Sequence, residues 1–483
     1  MSRVAWIVAV SLVLILYLSG LSGMGLVGPD EPRYASIGRE MARSGDWVTP
    51  RLWGEAWFEK PALLYWMTAA AFRLGLGEEL APRIPVALLS VAFLAFFFFI
   101  IREKFGQSAA SYGTAALATS AGWLGYSHVA VFDLPLAATF GAAMLLSLNW
   151  IESGDARRLP AASALLGAAV LSKGLAPLVL TLPLLWCGRR RIRDLTTARV
   201  VGAFLVVAAP WYVACWWNNG TPFVMKFFVE HHLGRFVSTA LQHAQPFWFY
   251  AWVLPGAIFP WTPAATGLFR RSFYGDSKRR FLLGWVLWCF VFFSLSTNKL
   301  PSYVLPSIPA AAALIGVALA EQRNARWTLA FVAAGLAVVG PLSGVLPQAL
   351  AGGISRAAIP PFDWRWLWPL PAAAAIWVLE DRGFRFMALA ALTFVLAGGI
   401  LFLKARAIPA IDAAYSARPL WEEIERSGGA RDVCVAELHR GWRYGLNYYS
   451  VAPLPDCSAA PLRREIRQAA GGVPYLALAP GGK

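Results

Sequence analysis

Charge is scarce in this sequence. Of its 483 residues, 14% are Asp, Glu, Lys or Arg, where a soluble globular domain carries about 25%. That excludes a soluble fold for the chain as a whole. Cysteine is scarce too, with five residues, and none stands in a C-x-x-C pair, which argues against a structural zinc site built of thiolates. No internal repeat is visible, so the repeated halves common among transporters have no counterpart here. Acidic residues are outnumbered, 27 against 43 basic, for a net charge of +16. In a soluble chain that excess would raise nucleic acid as a partner. Here the basic residues sit mostly in short loops between apolar runs, which is the orientation signal of membrane proteins, and nucleic-acid binding is rejected.

What the sequence has is apolar length: 58% of it is hydrophobic, with 23 Trp and 30 Phe. The first run, Val4 to Leu21, follows Arg3. It exceeds the roughly 7–15 residues of a signal-peptide core and reads as an uncleaved span. Spans are expected at about 5–25, 82–101, 108–124, 130–149, 158–172, 174–187, 198–217, 246–268, 281–297, 302–320, 327–347, 364–379 and 386–404. The fold class is thus an all-α polytopic membrane protein of about 13 transmembrane helices, with a small C-terminal α/β domain. Residues 1–404 form the membrane unit and 405–483 the polar tail. In the tail, Arg418 to Arg426, Trp442 to Tyr449 and Pro461 to Ala470 read as helices, and Val433 to Glu437 and Tyr475 to Ala479 as strands.

One set of loops is short and basic, including Arg102 and Lys104, Arg157 and Arg158, Arg270 to Arg280, Arg323 and Arg326, and Arg382. The positive-inside rule puts these in the cytoplasm. The other set then faces outward, with two long loops, 26–81 and 218–245, and the tail. In the first loop, Pro32 to Ser44 and Pro61 to Leu76 read as surface helices. An outward tail would let Cys434 and Cys457 form a disulfide. Cys187, Cys215 and Cys289 lie in or beside spans and read as inert thiols.

Ionisable residues beside spans are costly and mark function. In this chain they gather on the outer side: Asp30, Glu31 and Arg33 after the first span, then Glu59 and Lys60, Asp133, Lys173, His232, and Lys299 with Tyr303. Singly, each has a plainer reading, as a snorkelling Lys or an acidic N-terminal residue of a helix. Together on one face they suit a phosphate-bearing donor, because Lys and Arg can hold a phosphate and stabilise it as it leaves. A carboxylate can orient or deprotonate an acceptor. Glu59 with His232 is a two-ligand pattern for a divalent metal.

The stretches Gly28-Pro29-Asp30-Glu31-Pro32-Arg33-Tyr34-Ala35, Phe58-Glu59-Lys60-Pro61, Phe132-Asp133-Leu134-Pro135, Ser172-Lys173-Gly174, His232-Leu233-Gly234-Arg235-Phe236 and Lys299-Leu300-Pro301-Ser302-Tyr303 occur in this order. Together they resemble the aminoarabinose transferase (ArnT-like) branch of the protein O-mannosyltransferase superfamily, over roughly residues 1–310. The resemblance implies a GT-C fold in a bacterial inner membrane, with a cavity on the periplasmic face. It implies a polyprenyl-phosphate-linked sugar of the undecaprenyl-phosphate kind as donor, and a lipid or glycolipid acceptor such as lipid A or lipopolysaccharide. By motif match, Asp30, Asp133 and Glu31 are the catalytic acids. Lys60, Arg33, Lys173 and Lys299 hold the donor phosphate. Glu59 and His232, with Tyr303 nearby, match a metal site for a zinc-like divalent ion. No motif matches in the tail. The other readings are a protein O-glycosyltransferase, another polyprenyl-lipid enzyme, a scaffold, or a transporter, for which ionisable groups belong near the midplane rather than at outer helix ends.

Overall fold

The computed structural model describes residues 3–234, 245–459, 462–468 and 472–478, with the side chains of 231–234 left aside. Every one of the thirteen expected spans overlaps helical structure. Among the described residues, six helices are long and apolar enough to cross a membrane by themselves: Leu80–Thr119, Asp133–Ser153, Ala198–Glu230, Pro301–Glu321, Arg326–Gly352 and Arg385–Tyr415. The first of these is two spans, because Gly106 breaks it with a φ of 87° in the left-handed region, which glycine adopts without steric cost. The remaining expected spans are shorter, such as Arg3–Leu18 and Leu159–Lys173, or are interrupted by proline, as in Ala176–Leu180 followed by Leu182–Cys187. Small residues let the helices approach closely, as they do in membrane bundles. At Gly316 a Cβ would come within 2.4 Å of the Ala109 carbonyl oxygen.

The two sets of loops separate as their charge predicts. Lys278 and Lys104 both pair with Glu152, and Arg158 donates to Glu103 at 2.9 Å. Arg279 pairs with Glu321 and Arg326 with Asp381. The basic loops therefore meet one another. Helix Asp133–Ser153 carries Asp133 at one end and Glu152 at the other. At 1.5 Å per residue these ends lie about 30 Å apart, the thickness of a bilayer core.

The outer loop 26–81 forms a lid of two helices, Asp30–Ser44 and Leu63–Arg73, joined by a hairpin of β1 (Arg51–Leu52) and β2 (Glu55–Ala56). The last span runs on to Tyr415 as one helix and delivers the tail onto this lid. Arg418 pairs with Asp412 at 2.6 Å and donates to the carbonyls of Ser22 and Gly23. Arg39 donates to the Tyr448 carbonyl at 2.6 Å, and the Tyr448 hydroxyl to the Glu78 carbonyl at 2.7 Å.

In the tail, the helices Arg418–Arg426 and Arg440–Tyr449 pack on strands β3 (Val433–Val435), β4 (Arg464–Gln468) and β5 (Pro474–Leu478), ordered β3-β4-β5. β3 pairs parallel to β4, and β4 antiparallel to β5. The helix expected over Pro461 to Ala470 is not formed. Arg464–Gln468 is the central strand of the sheet, with Ile466 fully buried between two more accessible neighbours. A period of two wins there because the strand has a partner on each side. Cys434 and Cys457 form a disulfide. Replacing both with Ser is expected to lower the tail's stability by about 2–4 kcal/mol. Limited proteolysis should then cut the tail sooner while leaving the membrane unit intact, and an unchanged cutting rate would contradict this.

Candidate active site beneath the outer lid

The site begins at the first turn of helix Asp30–Ser44, where Asp30 and Glu31 favour the positive end of the helix dipole. Asp30 and Arg33 are one turn apart and share a face. Arg33 donates to Asp30 at 2.6 Å and reaches Glu59 at 3.1 Å, and Lys60 pairs with the same Glu59 at 3.3 Å. The four motif residues thus form one chain of alternating charge. The Asp30 side chain is 45% exposed, against 5% for Glu59. Asp30 is therefore the open carboxylate of the group.

Glu31 lies about 100° further round the helix and points the other way. It is 1% exposed and pairs with Arg83, which is fully buried. Arg83 donates to both Glu31 oxygens, at 2.7 and 2.8 Å, and to the carbonyls of Leu21, Met24 and Gly25. All five guanidinium N–H groups are used. Glu31 also accepts from the backbone N–H of Val27 and of Ala130, each at 2.9 Å. Expected among the catalytic acids, Glu31 is instead closed off by this network. It fastens the end of the first span, the start of the lid helix and the turn before Asp133.

A second acid–base pair completes the outer face. Asp133 opens helix Asp133–Leu146, and Lys173 ends helix Leu159–Lys173 just before Gly174. Their side chains meet at 2.5 Å, and the Lys173 ammonium lies 4.4 Å from the centre of the Tyr303 ring. Lys299 is placed differently. It is 4% exposed and donates to the carbonyls of Ser296 and Gln245, so it ties its own turn to the segment at Gln245. Of the expected metal pair, the side chain of His232 lies outside the described residues. Glu59 stands between Arg33 and Lys60, so a divalent ion there would meet two cations already in place.

Several residues of this site were not among the expected site residues. Tyr34 and Tyr65 are buried and set edge-on to Phe132. Burial, then the charges of Glu59 and Asp30, push both hydroxyls far above the ordinary tyrosine value, so they stay neutral. Burial opposes the charge on Arg33, but Glu59, Tyr34 and Asp30 overcome it and raise its pKa. Its guanidinium sits 5.2 Å from the Tyr34 ring, 5.6 Å from Trp57 and 5.5 Å from Tyr444 of the tail. Arg83 had a signal in the sequence, as a lone cation within an apolar run. Tyr444 had none.

Known proteins resemble this chain in sequence and in fold. Residues 59–217 match the family described as dolichyl-phosphate-mannose-protein mannosyltransferase. An undecaprenyl phosphate-alpha-4-amino-4-deoxy-L-arabinose arabinosyl transferase of Pseudomonas fluorescens is 32% identical over 64% of this chain and 55% of its own length. A transferase of the same name from Pseudomonas aeruginosa is 34% identical over 64% of this chain. That match spans 58% of the Pseudomonas aeruginosa protein, so the chain covers little more than half the length of these relatives. The crystal structure of ArnT from Cupriavidus metallidurans bound to undecaprenyl phosphate superposes with a TM-score of 0.76 at 27% identity, covering 97% of this chain and 87% of that one. In sequence and fold together, the chain is similar to the ArnT-like branch of the GT-C membrane glycosyltransferases.

Proposed function

We propose that this protein transfers a sugar from a polyprenyl-phosphate donor of the undecaprenyl type to a lipid acceptor such as lipid A or lipopolysaccharide, on the periplasmic face of the inner membrane. The observation that carries this reading is the pairing of one open carboxylate, Asp30, with the cations Arg33 and Lys60 around a shared Glu59. Lys173 and Asp133 form the facing pair. In the transfer, an acceptor oxygen attacks the anomeric carbon and the bond from that carbon to the phosphate oxygen breaks. The lipid phosphate leaves with the electron pair. Arg33, Lys60 and Lys173 stabilise the charge as it grows, an electrostatic contribution that is largest in a site shielded from water. A phosphate acceptor is already nucleophilic, and Asp30 then orients it. A hydroxyl acceptor gives its proton to Asp30 as general base. The second mode also fits a protein acceptor, which the description of the matched family names.

Reconstitution in liposomes tests this, with undecaprenyl phosphate-4-amino-4-deoxy-L-arabinose and lipid A as substrates and mass spectrometry of the products as the readout. Lys60→Ala is expected to weaken binding of bare undecaprenyl phosphate by about 10- to 100-fold, the worth of one charge-assisted hydrogen bond. An unchanged affinity would remove Lys60 from the phosphate site.

A further inference from the structure

The rings around Arg33 raise a question that the phosphate does not answer. Trp53 and Gly54 form the two-residue turn between β1 and β2, with φ of 55° and 86°. Such a turn favours Asn or Asp at its first position. A bulky residue with positive φ is a steric outlier that the surrounding structure must hold in place. The strained Trp53 ring stacks on Tyr444 of the tail, with centroids 5.8 Å apart and planes at 21°. Tyr444 in turn flanks Arg33, as do Trp57 and Tyr34.

Three N–H donors in this cluster are buried without a hydrogen-bond partner among the described residues: Arg33 Nε, Trp53 Nε1 and Trp57 Nε1. Native structures rarely leave such donors unmatched, and each one calls for an explanation. Three unmatched donors within one aromatic cluster are an arrangement suited to an oxygen-rich ligand. Trp53 and Trp57 are each only half-buried.

We infer that Tyr444, brought in by the C-terminal domain, joins Trp53 and Trp57 in an aromatic wall that holds the ring of the sugar being transferred. This rests on the donor reading proposed above. A glycosyl ring is bonded directly to the donor phosphate, so it must lie beside the cations that hold that phosphate. The wall adjoins Arg33, one of those cations. Sugar rings offer apolar C–H faces to aromatic rings and hydroxyl oxygens to N–H donors. The cluster supplies both, in the usual composition of a small-ligand site. In this account the tail is part of the donor site and helps select the sugar. The sequence places Tyr444 far from every motif, so this role follows from the folding of the tail onto the lid.

Purified full-length protein decides the matter by binding to two probes, undecaprenyl phosphate and undecaprenyl phosphate-4-amino-4-deoxy-L-arabinose. Wild type should bind the sugar-bearing lipid more tightly. Tyr444→Ala and Trp53→Ala should each weaken the sugar-bearing lipid about tenfold, while undecaprenyl phosphate changes less than about twofold. Tyr444→Phe should restore wild-type binding, because it keeps the ring face. Losses of equal size for both probes, or no loss for either, would overturn the wall. Equal binding of both probes by wild type would overturn it as well, since no sugar is then being held. Wild type that binds neither lipid would instead overturn the donor reading beneath it. Tyr444→Leu, which keeps the packing volume but not the ring, guards against a folding defect and should behave as Tyr444→Ala does.

Discussion

Asp30→Asn is expected to reduce transfer by at least about 100-fold while leaving the protein folded and able to bind undecaprenyl phosphate. For a hydroxyl acceptor the size follows from what a positioned base contributes, about 10²- to 10⁴-fold, and for a phosphate acceptor from lost orientation, about 10²-fold. The selectivity follows from exposure. At 45% exposed, with Arg33 as its one ion-pair partner among the described residues, Asp30 loses little packing when an amide replaces the carboxylate. Arg33 keeps Glu59, so the cation that faces the phosphate stays in place. A drop in turnover with near-normal donor affinity is the signature of an interaction made mainly in the transition state. If donor affinity fell as far as turnover, Asp30 would belong to the binding of the donor rather than to the reaction.

The neighbouring carboxylate should behave in the opposite way. Arg83→Leu is expected to destabilise the folded protein by about 3–5 kcal/mol, because it leaves Glu31 charged and buried without its partner. Three backbone carbonyls, of Leu21, Met24 and Gly25, lose their donor at the same time, and each unmet buried group adds to the cost. Loss of yield in membranes and a lower unfolding temperature in detergent would report this. Glu31→Gln should destabilise less, since an amide keeps the shape and part of the hydrogen bonding. The pair Glu31→Met with Arg83→Met should recover part of the loss, because a buried ion pair is often replaceable by apolar side chains of similar volume. If Arg83→Leu were as stable as wild type but inactive, the network would belong to the chemistry and not to the frame. Two adjacent residues, Asp30 and Glu31, thus separate function from stability.

The sequence makes the spans legible because a stretch of about 20 apolar residues has few other uses. The acidic and basic residues of the outer loops were legible for the same reason: charge beside an apolar run is expensive and is kept for a purpose. Asp30, Arg33, Glu59 and Lys60 come together as their shared face suggested, and so do Asp133 and Lys173. Glu31 could not be told from Asp30 by type or position. Only the phase of the helix, and a partner 52 residues away, separate them. Lys299 shares a turn with Tyr303, but its ammonium donates to the carbonyls of Ser296 and of Gln245, 54 residues away, a contact that sequence does not reveal. The strand Arg464–Gln468 was hidden because its partners β3 and β5 decide its form. Tyr444 reaches the site only through the docking of the tail, held by Arg39, Arg418 and Tyr448.

The central claim is that one outer-face site built on Asp30 moves a sugar onto a lipid. Deleting the gene and restoring it as wild type, as Asp30→Asn or as Lys60→Ala tests this directly, with lipid extracts compared by mass spectrometry and protein levels checked in membranes. The account predicts that the deletion loses a mass of one sugar from a glycolipid, that wild type restores it, and that neither variant does so at normal protein levels. Full restoration of the lipid profile by both variants would contradict it.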